Sequence, residues 1–94
     1  MKACWHGKVI ARSDGVIALA GYSYFPRTAV RMEYLKPASK TASDLRCPHG
    51  VQFYDVTDGK RTSTRAAWSY EAPLPAYGHV DHWIGFWEDI ELQD

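Results

Sequence analysis

The sequence predicts a mainly β domain: a compact, strongly bent antiparallel sheet, tent-like or barrel-like, with one or two short helical segments. Apolar runs are short and turn-forming residues interrupt them often, which is typical of antiparallel strands. Aromatic residues make up 14% of the chain, including four Trp and six Tyr, and a few buried rings can anchor a small core. Because 94 residues leave no room for a second core, we expect residues 1–94 to form a single domain.

Two strands and a helical turn are predicted in the first part of the chain. Lys8–Arg12 and Val16–Ala20 flank Ser13–Gly15, and the glycine favours a three-residue hairpin connection. Pro26 predicts a single helical turn, because its missing N–H is tolerated at the first helical position. The following segment, Arg31–Leu35, is predicted to be extended.

The middle of the chain contains the clearest strand. The polar segment Ala38–Ser43 predicts a loop or a solvent-exposed edge. Val51–Thr57 is rich in residues with high β propensity. The dipeptide Asp58-Gly59 after it predicts a hairpin turn into Lys60–Thr64.

The last third of the chain adds a strand whose faces follow from its side-chain period. The two-residue period places Ala66, Trp68 and Tyr70 on one face of this strand. The remaining predicted elements are a short helix within 76–83, a strand over 83–87 and a final strand over 90–92.

The charge balance argues against several classes of partner. Eleven basic and eleven acidic residues cancel and form no basic run, so nucleic acid is a poorly supported partner. Low net charge reduces self-repulsion, which makes a homodimer possible. No apolar stretch approaches the roughly 20 residues of a membrane span, and no signal-peptide pattern is present. We therefore expect a cytoplasmic protein without a membrane partner.

A series of short motifs identifies a family resemblance over nearly the whole chain. The motifs are Trp5-x-Gly7, Ala11-x-Ser13, Tyr24-Phe25-Pro26, Cys47-Pro48-x-Gly50, Tyr54-Asp55-Val56, Ala66-Ala67-Trp68-x-Tyr70-x-x-Pro73 and Phe86-Trp87. In this order they resemble a family of small bacterial and fungal proteins classified as a domain of unknown function, sometimes with a nucleotidyltransferase label. The resemblance implies a tent-like fold related to the Mss4 and methionine sulfoxide reductase B groups, and it implies no secure activity.

Neither nucleotidyl transfer nor a metal site finds support in the residues. Nucleotidyl transfer needs paired carboxylates for metal ions together with a phosphate-binding cradle. The nearest acidic pair is Asp55 and Asp58, and Asp58 is more simply a turn residue. Only Cys4 and Cys47 are present, without the two Cys-x-x-Cys pairs of a structural zinc site. We predict two free thiols, no metal and no cofactor.

An enzymatic role has two candidate sets of residues. Cys47 lies between Arg46 and His49, and a nucleophilic thiol needs a nearby cation to lower its pKa. Side chains one residue apart on a strand point to opposite faces, however, and a buried, inert Cys47 is the simpler interpretation. The other candidate is an acid–base pair of Tyr24 with Glu88 or Asp89.

The leading functional hypothesis is a cleft that binds a small molecule. The chain has more Trp and Tyr side chains than a small core can enclose, and such rings often line ligand pockets. We expect a small polar or aromatic ligand to contact one concave surface. Its predicted residues are Tyr24, Arg31, Tyr54, Tyr70 and Trp87, with Cys47 nearby. The alternatives are the enzymes above and a protein-interaction module that uses exposed aromatic residues.

Overall fold

A computed structural model describes residues 1–94, and it confirms the mainly β class. Nine strands form two antiparallel sheets. In chain order they are β1 Lys2–Trp5, β2 Lys8–Arg12, β3 Ile17–Leu19, β4 Tyr22–Phe25, β5 Leu35–Pro37, β6 Val51–Thr57, β7 Thr62–Tyr70, β8 Ile84–Phe86 and β9 Glu91–Gln93. The small sheet has the order β2-β1-β9 and the large sheet β3-β4-β8-β7-β6-β5. Since β3 and β5 are not paired with each other, the large sheet does not close into a barrel.

The main core lies between the two sheets. Trp5 and Ile10 of the small sheet pack in the same cluster as Phe25, Ile84 and Phe86 of the large sheet. Trp5 is 1% exposed, and its Nε1 donates a hydrogen bond of 2.9 Å to the Ser63 hydroxyl. The polar tip of this large ring is therefore satisfied inside the core, as a buried indole requires. The opposite face of the large sheet carries a second, separate cluster of side chains.

The predicted hairpin between β2 and β3 is wrong, because these strands belong to different sheets. β2 pairs with β1 and β3 pairs with β4. The connections are two-residue turns at His6-Gly7 and Ala20-Gly21, and all four of these residues have positive φ. Turns of this kind match the right-handed twist of paired strands, which favours these two hairpins over a connection through Ser13–Gly15.

The long hairpin of β6 and β7 follows the predicted strand over Val51–Thr57, but β7 contains an irregularity. The pairing Tyr54↔Ala67 gives way to Val56↔Ser63, so β7 carries extra residues at this point. Arg65 lies among them with φ +54. The extra residues change which face of the sheet the following side chains point to, as β-bulges do. Trp68 and Tyr70 share a face as predicted, whereas Ala66 is buried in the main core.

The helical segments are short. Arg27–Ala29 forms the predicted turn after Pro26, and Pro75–Val80 forms a second 3-10 helix where a short helix was expected. Met32–Tyr34 is also a 3-10 turn, so the prediction of an extended Arg31–Leu35 is wrong over most of its length. The one α-helix, α1, spans Ala42–Arg46 and begins inside the segment predicted as a loop or edge.

A capping box explains why such a short helix as α1 is stable. The Thr41 hydroxyl accepts a hydrogen bond from the Asp44 N–H, and the Asp44 carboxylate accepts one from the Thr41 N–H. Asp44 is 5% exposed and also accepts two hydrogen bonds, of 2.8 and 3.0 Å, from the Arg65 guanidinium. The irregularity in β7 therefore positions the cation that compensates the buried carboxylate of α1.

Two carboxylates make the stability of the fold depend on pH. The hydrogen bonds from Arg65 lower the pKa of Asp44. The Arg61 backbone N–H, followed by the Lys8 side chain, lowers the pKa of Asp58. A carboxylate with a lowered folded-state pKa stabilises the fold above its unfolded pKa of about 3.9, and this contribution is lost as the pH falls toward the folded-state value.

We therefore expect the free energy of unfolding to decrease as the pH is lowered below about 4. Urea denaturation at a series of pH values measures this slope. Asp58→Asn should reduce it, because the amide has no proton equilibrium in this range. Asp14→Asn is the matched control, since Asp14 is exposed and forms no ion pair. An unchanged slope in the Asp58 variant would contradict this account.

Candidate functional site

The outer face of the large sheet is covered by aromatic rings, which we call the aromatic face. Tyr22 and Tyr24 share this face of β4 because they are two residues apart, and Trp68 and Tyr70 share it on β7 for the same reason. Phe53 is directly opposite Trp68 in the register of β6 and β7. Trp87 follows β8 and completes the set. Three strands and the residue that follows a fourth thus contribute rings to one surface.

Trp68 occupies the centre of the aromatic face. Its ring centroid lies 5.0 Å from that of Tyr22, 5.3 Å from that of Trp87 and 5.9 Å from that of Tyr24. The indole rests on Gly85 of β8, where a Cβ atom would approach Trp68 Cζ2 to 2.6 Å. The absence of a side chain at residue 85 therefore allows the indole to lie against the sheet.

Five rings enclose a shallow cavity of about 130 Å³, which we call the aromatic cleft. It is lined by Tyr22, Phe53, Trp68, Tyr70 and Trp87. The Tyr22 ring is close to perpendicular to Trp68 (85°) and to Trp87 (80°), while Phe53 and Trp87 are near parallel at 27°. These edge-to-face and offset arrangements are the preferred geometries of aromatic pairs, so the rings support one another as walls.

The polar groups around the aromatic cleft are few. Trp87 Nε1 donates a hydrogen bond of 2.6 Å to the Arg65 carbonyl, which holds this wall in place. Trp68 Nε1 is buried and has no hydrogen-bond partner. The Arg65 guanidinium lies 4.1 Å from the centroid of the Phe53 ring. No acidic side chain lines the aromatic cleft.

Tyr24 lies beneath the rings of the aromatic cleft rather than at its surface. Its side chain is 1% exposed and packs against Trp68 and Tyr70. Burial raises the pKa of the Tyr24 hydroxyl far above its ordinary value, and the neighbouring Tyr70 hydroxyl raises it further. The Tyr24 hydroxyl therefore holds its proton more tightly than an ordinary tyrosine does, which makes it a poor member of an acid–base pair.

The structure brings together only some of the side chains expected on one concave surface. Tyr70 and Trp87 line the aromatic cleft, and Tyr24 lies directly below it. Tyr54 points to the other side of β6, into the core between the sheets, where its hydroxyl accepts a 2.7 Å hydrogen bond from Arg27. Arg31 is exposed and borders a different cavity. The alternation of side chains along β6 explains why Phe53 rather than Tyr54 lines the cleft.

Cys47 follows α1 and is partly buried against the aromatic face. Its backbone N–H donates to the Asp44 carbonyl, but its sulfur makes no hydrogen bond. A nucleophilic thiol requires a base within hydrogen-bond reach, and no such contact is present. The other enzymatic hypothesis paired Tyr24 with Glu88 or Asp89. Asp89 instead accepts a 2.7 Å hydrogen bond from Ser63 and lines a groove over the small sheet.

Two walls of the aromatic cleft, Tyr22 and Phe53, were not among the expected residues. The two-residue period that starts from Tyr24 places Tyr22 on the same face, so this signal was present in the sequence. Phe53 needed the register between β6 and β7, which pairs it with Trp68. The irregularity at Arg65 shifts this register, so counting residues from the Asp58-Gly59 turn does not predict which residue is opposite Trp68.

Asp55 and Asp58, the nearest acidic pair in the sequence, are engaged in structural hydrogen bonds. Asp58 accepts from the N–H groups of Lys60 and Arg61, as expected of a turn residue, and its carboxylate also pairs with Lys8 at 2.9 Å. Asp55 accepts from the Arg65 N–H. No group of three His, Cys, Asp or Glu side chains has an arrangement suited to a metal ion. None of the helices has the length and apolar character of a membrane span.

Comparison with known families agrees with the sequence motifs. No curated protein matches the chain. The family model that does match carries the name NTP_transf_9 and the description "domain of unknown function (DUF427)", and the match extends over residues 1–93. The relation to the Mss4 and methionine sulfoxide reductase B groups stays a prediction. Because the match leaves out only the final residue, the chain belongs to the DUF427 family.

Proposed function

We propose that the protein binds a small, uncharged, planar ligand in the aromatic cleft. The observation that carries this proposal is the set of five rings from four segments of the chain that meet around one cavity of about 130 Å³. Ligand sites are typically concave and apolar, with a few fixed polar groups at the margin. Tyr22 and Tyr70 are the lining residues that carry hydroxyl groups, and a hydroxyl can donate or accept a hydrogen bond.

The size of the aromatic cleft favours a single ring as the bound group. An apolar protein cavity of roughly 150 Å³ accommodates benzene. The aromatic cleft is slightly smaller, and its Tyr22 wall is 42% exposed, so one side opens to solvent. A ring that enters between Tyr22 and Trp87 can place a polar substituent at this open side. The polar part of the ligand then stays hydrated while its ring is desolvated.

The charges near the aromatic cleft favour a neutral ring over a cation. Aromatic cages bind ammonium groups through the negative faces of their rings. In this protein the Arg65 guanidinium already lies 4.1 Å from the Phe53 centroid, and no carboxylate lines the cavity. Because Asp44 neutralises Arg65, repulsion is not the main cost for a second cation. Its main cost is its own desolvation, which no carboxylate in the lining offsets, whereas a neutral ring meets no such cost.

NMR titrations of the indole N–H signals test this proposal. Benzamide is the neutral probe and tetramethylammonium the cationic one. We expect benzamide to shift the signals of Trp68 and Trp87 in a saturable manner and tetramethylammonium to have a much weaker effect. Trp5 is the internal control, because it lies in the core between the sheets and its signal should not move.

Removal of one wall should weaken the binding of benzamide. Tyr22→Ala deletes an exposed wall, and the loss of one aromatic contact of about 0.5–1.5 kcal/mol corresponds to roughly a twofold to tenfold higher Kd. Leu92→Ala is the matched control, since Leu92 is also partly exposed (38%) but lies on β9. The proposal fails if no neutral ring shifts the Trp68 and Trp87 signals at millimolar concentration, or if both variants behave alike.

A further inference from the structure

A second cavity lies at the edge of the small sheet, away from the aromatic cleft. It has a volume of about 250 Å³ and is lined by Val9, Ala11, Arg12, Ala29 and Arg31. Three of these side chains are small and apolar, and the other two are arginines. An apolar surface bordered by two guanidinium groups is an arrangement that can recognise an organic anion.

The backbone around this cavity is held in place by contacts between distant parts of the chain. The Arg31 N–H donates a hydrogen bond of 2.8 Å to the Ile10 carbonyl, and Val30 forms an isolated antiparallel bridge with Ala11. The segment after β4 is thereby attached to the free edge of β2. Arg12, at the end of β2, and Arg31 consequently emerge from backbone positions that are well defined relative to each other.

The two arginines differ from three of the other four arginines of the chain. Arg27, Arg61 and Arg65 each lie within 4.0 Å of a carboxylate. Arg12 and Arg31 take part in no ion pair and no side-chain hydrogen bond, and both are exposed. Their guanidinium groups therefore retain all of their donors for an external acceptor.

The lining of this cavity carries only positive charges, whereas the neighbouring groove carries charges of both signs. Lys2 is opposite Arg12 in the register of β1 and β2 and adds a third cation. Asp14 and Asp94 border a neighbouring groove that Arg12 shares, but neither lies within ion-pair distance of it. The cavity itself has no acidic lining residue. Because the whole chain has zero formal net charge, the two unpaired arginines of this lining are a local feature rather than part of a generally basic surface.

We infer that this cavity binds a small organic oxyanion, with its carboxylate or phosphate group between Arg12 and Arg31 and its apolar part on Val9 and Ala29, above the buried Ala11. Guanidinium groups bind such oxyanions through paired, charge-assisted hydrogen bonds. The apolar floor contributes by removing the organic part of the ligand from water. The inference is independent of the aromatic cleft, since the two cavities have no lining residue in common.

Amide chemical shifts of Ala11, Ala29 and Arg31 report on this cavity, because these residues line none of the other cavities. The probes are benzoate, phenyl phosphate, inorganic phosphate and the uncharged benzamide, all titrated at low ionic strength. We expect saturable shifts with benzoate or phenyl phosphate, weaker binding of inorganic phosphate, and none of these shifts with benzamide. Whichever of benzoate and phenyl phosphate binds more tightly identifies the oxyanion. Added salt should raise the Kd because it screens exposed charges.

Arg31→Gln should raise the Kd of the better anion about tenfold, or about 1.4 kcal/mol, because it removes a charge-assisted hydrogen bond at an exposed position. Arg46→Gln is the matched control: Arg46 is exposed, unpaired with any carboxylate and located on α1. Thermal unfolding should be unchanged in both variants, which separates binding from folding. The inference is overturned if neither organic anion binds, if inorganic phosphate binds as tightly as both, or if the two variants lose affinity equally.

Discussion

Trp68→Ala should lower the free energy of unfolding by about 3–5 kcal/mol, the usual cost of removing a large aromatic side chain from a packed site. The indole is 4% exposed and contacts the rings of four other residues on the aromatic face. Its removal leaves a cavity that the sheet beneath cannot fill, because the nearest backbone there belongs to Gly85. Urea or guanidinium denaturation of the purified variant measures the loss.

Tyr22→Ala is the comparison for this substitution. Tyr22 belongs to the same aromatic face but is 42% exposed, so its loss should cost about 1 kcal/mol or less. Trp68→Phe keeps a ring at the centre and should fall between the two. If the denaturation midpoint of Trp68→Ala resembles that of Tyr22→Ala, then Trp68 does not organise the aromatic face and the packing described above is incorrect.

Gly85→Ala should destabilise the protein by about 1–3 kcal/mol, the typical cost of forcing an extra methyl group into a packed site. A Cβ at residue 85 would lie 2.6 Å from Trp68 Cζ2 and 2.7 Å from Cε2. These atoms belong to a rigid, buried ring, so the indole must move as a whole. The same displacement should disturb the aromatic cleft and weaken the binding of benzamide.

A double-mutant cycle separates this clash from a general effect of alanine. In a Trp68→Ala background the added methyl group meets no indole, so the two substitutions should be less than additive, with a coupling of about 0.5–3 kcal/mol. Gly78→Ala is the matched control, because a Cβ there has no neighbour within 4 Å. Strict additivity, or an equal cost at Gly78, would contradict the assigned contact between Gly85 and Trp68.

A site residue could be predicted correctly when its position follows from a single strand, but not when it depends on contacts between strands. The shared face of Trp68 and Tyr70 is a property of one strand, and the two-residue period predicts it correctly. Predicting the positions of Tyr54 and Arg31 would have required the arrangement of the strands relative to one another. Tyr54 lies in the core, opposite Ala67, because the register of the β6–β7 hairpin places Phe53 opposite Trp68. Arg31 lies beside Arg12 because its backbone is bound to β2.

The sequence by itself determined the mainly β class, the strand over Val51–Thr57, the turn after Pro26 and the family to which the chain belongs. Each of these depends on local propensity, side-chain period or short motifs, which involve only residues close together in the sequence. Only the tertiary structure decided that β2 and β3 enter different sheets and that the phase of β7 changes at Arg65. The physical reason is that strand pairing and register depend on contacts between distant residues, whose hydrogen bonds and side-chain burial are shared by two segments and encoded in neither alone.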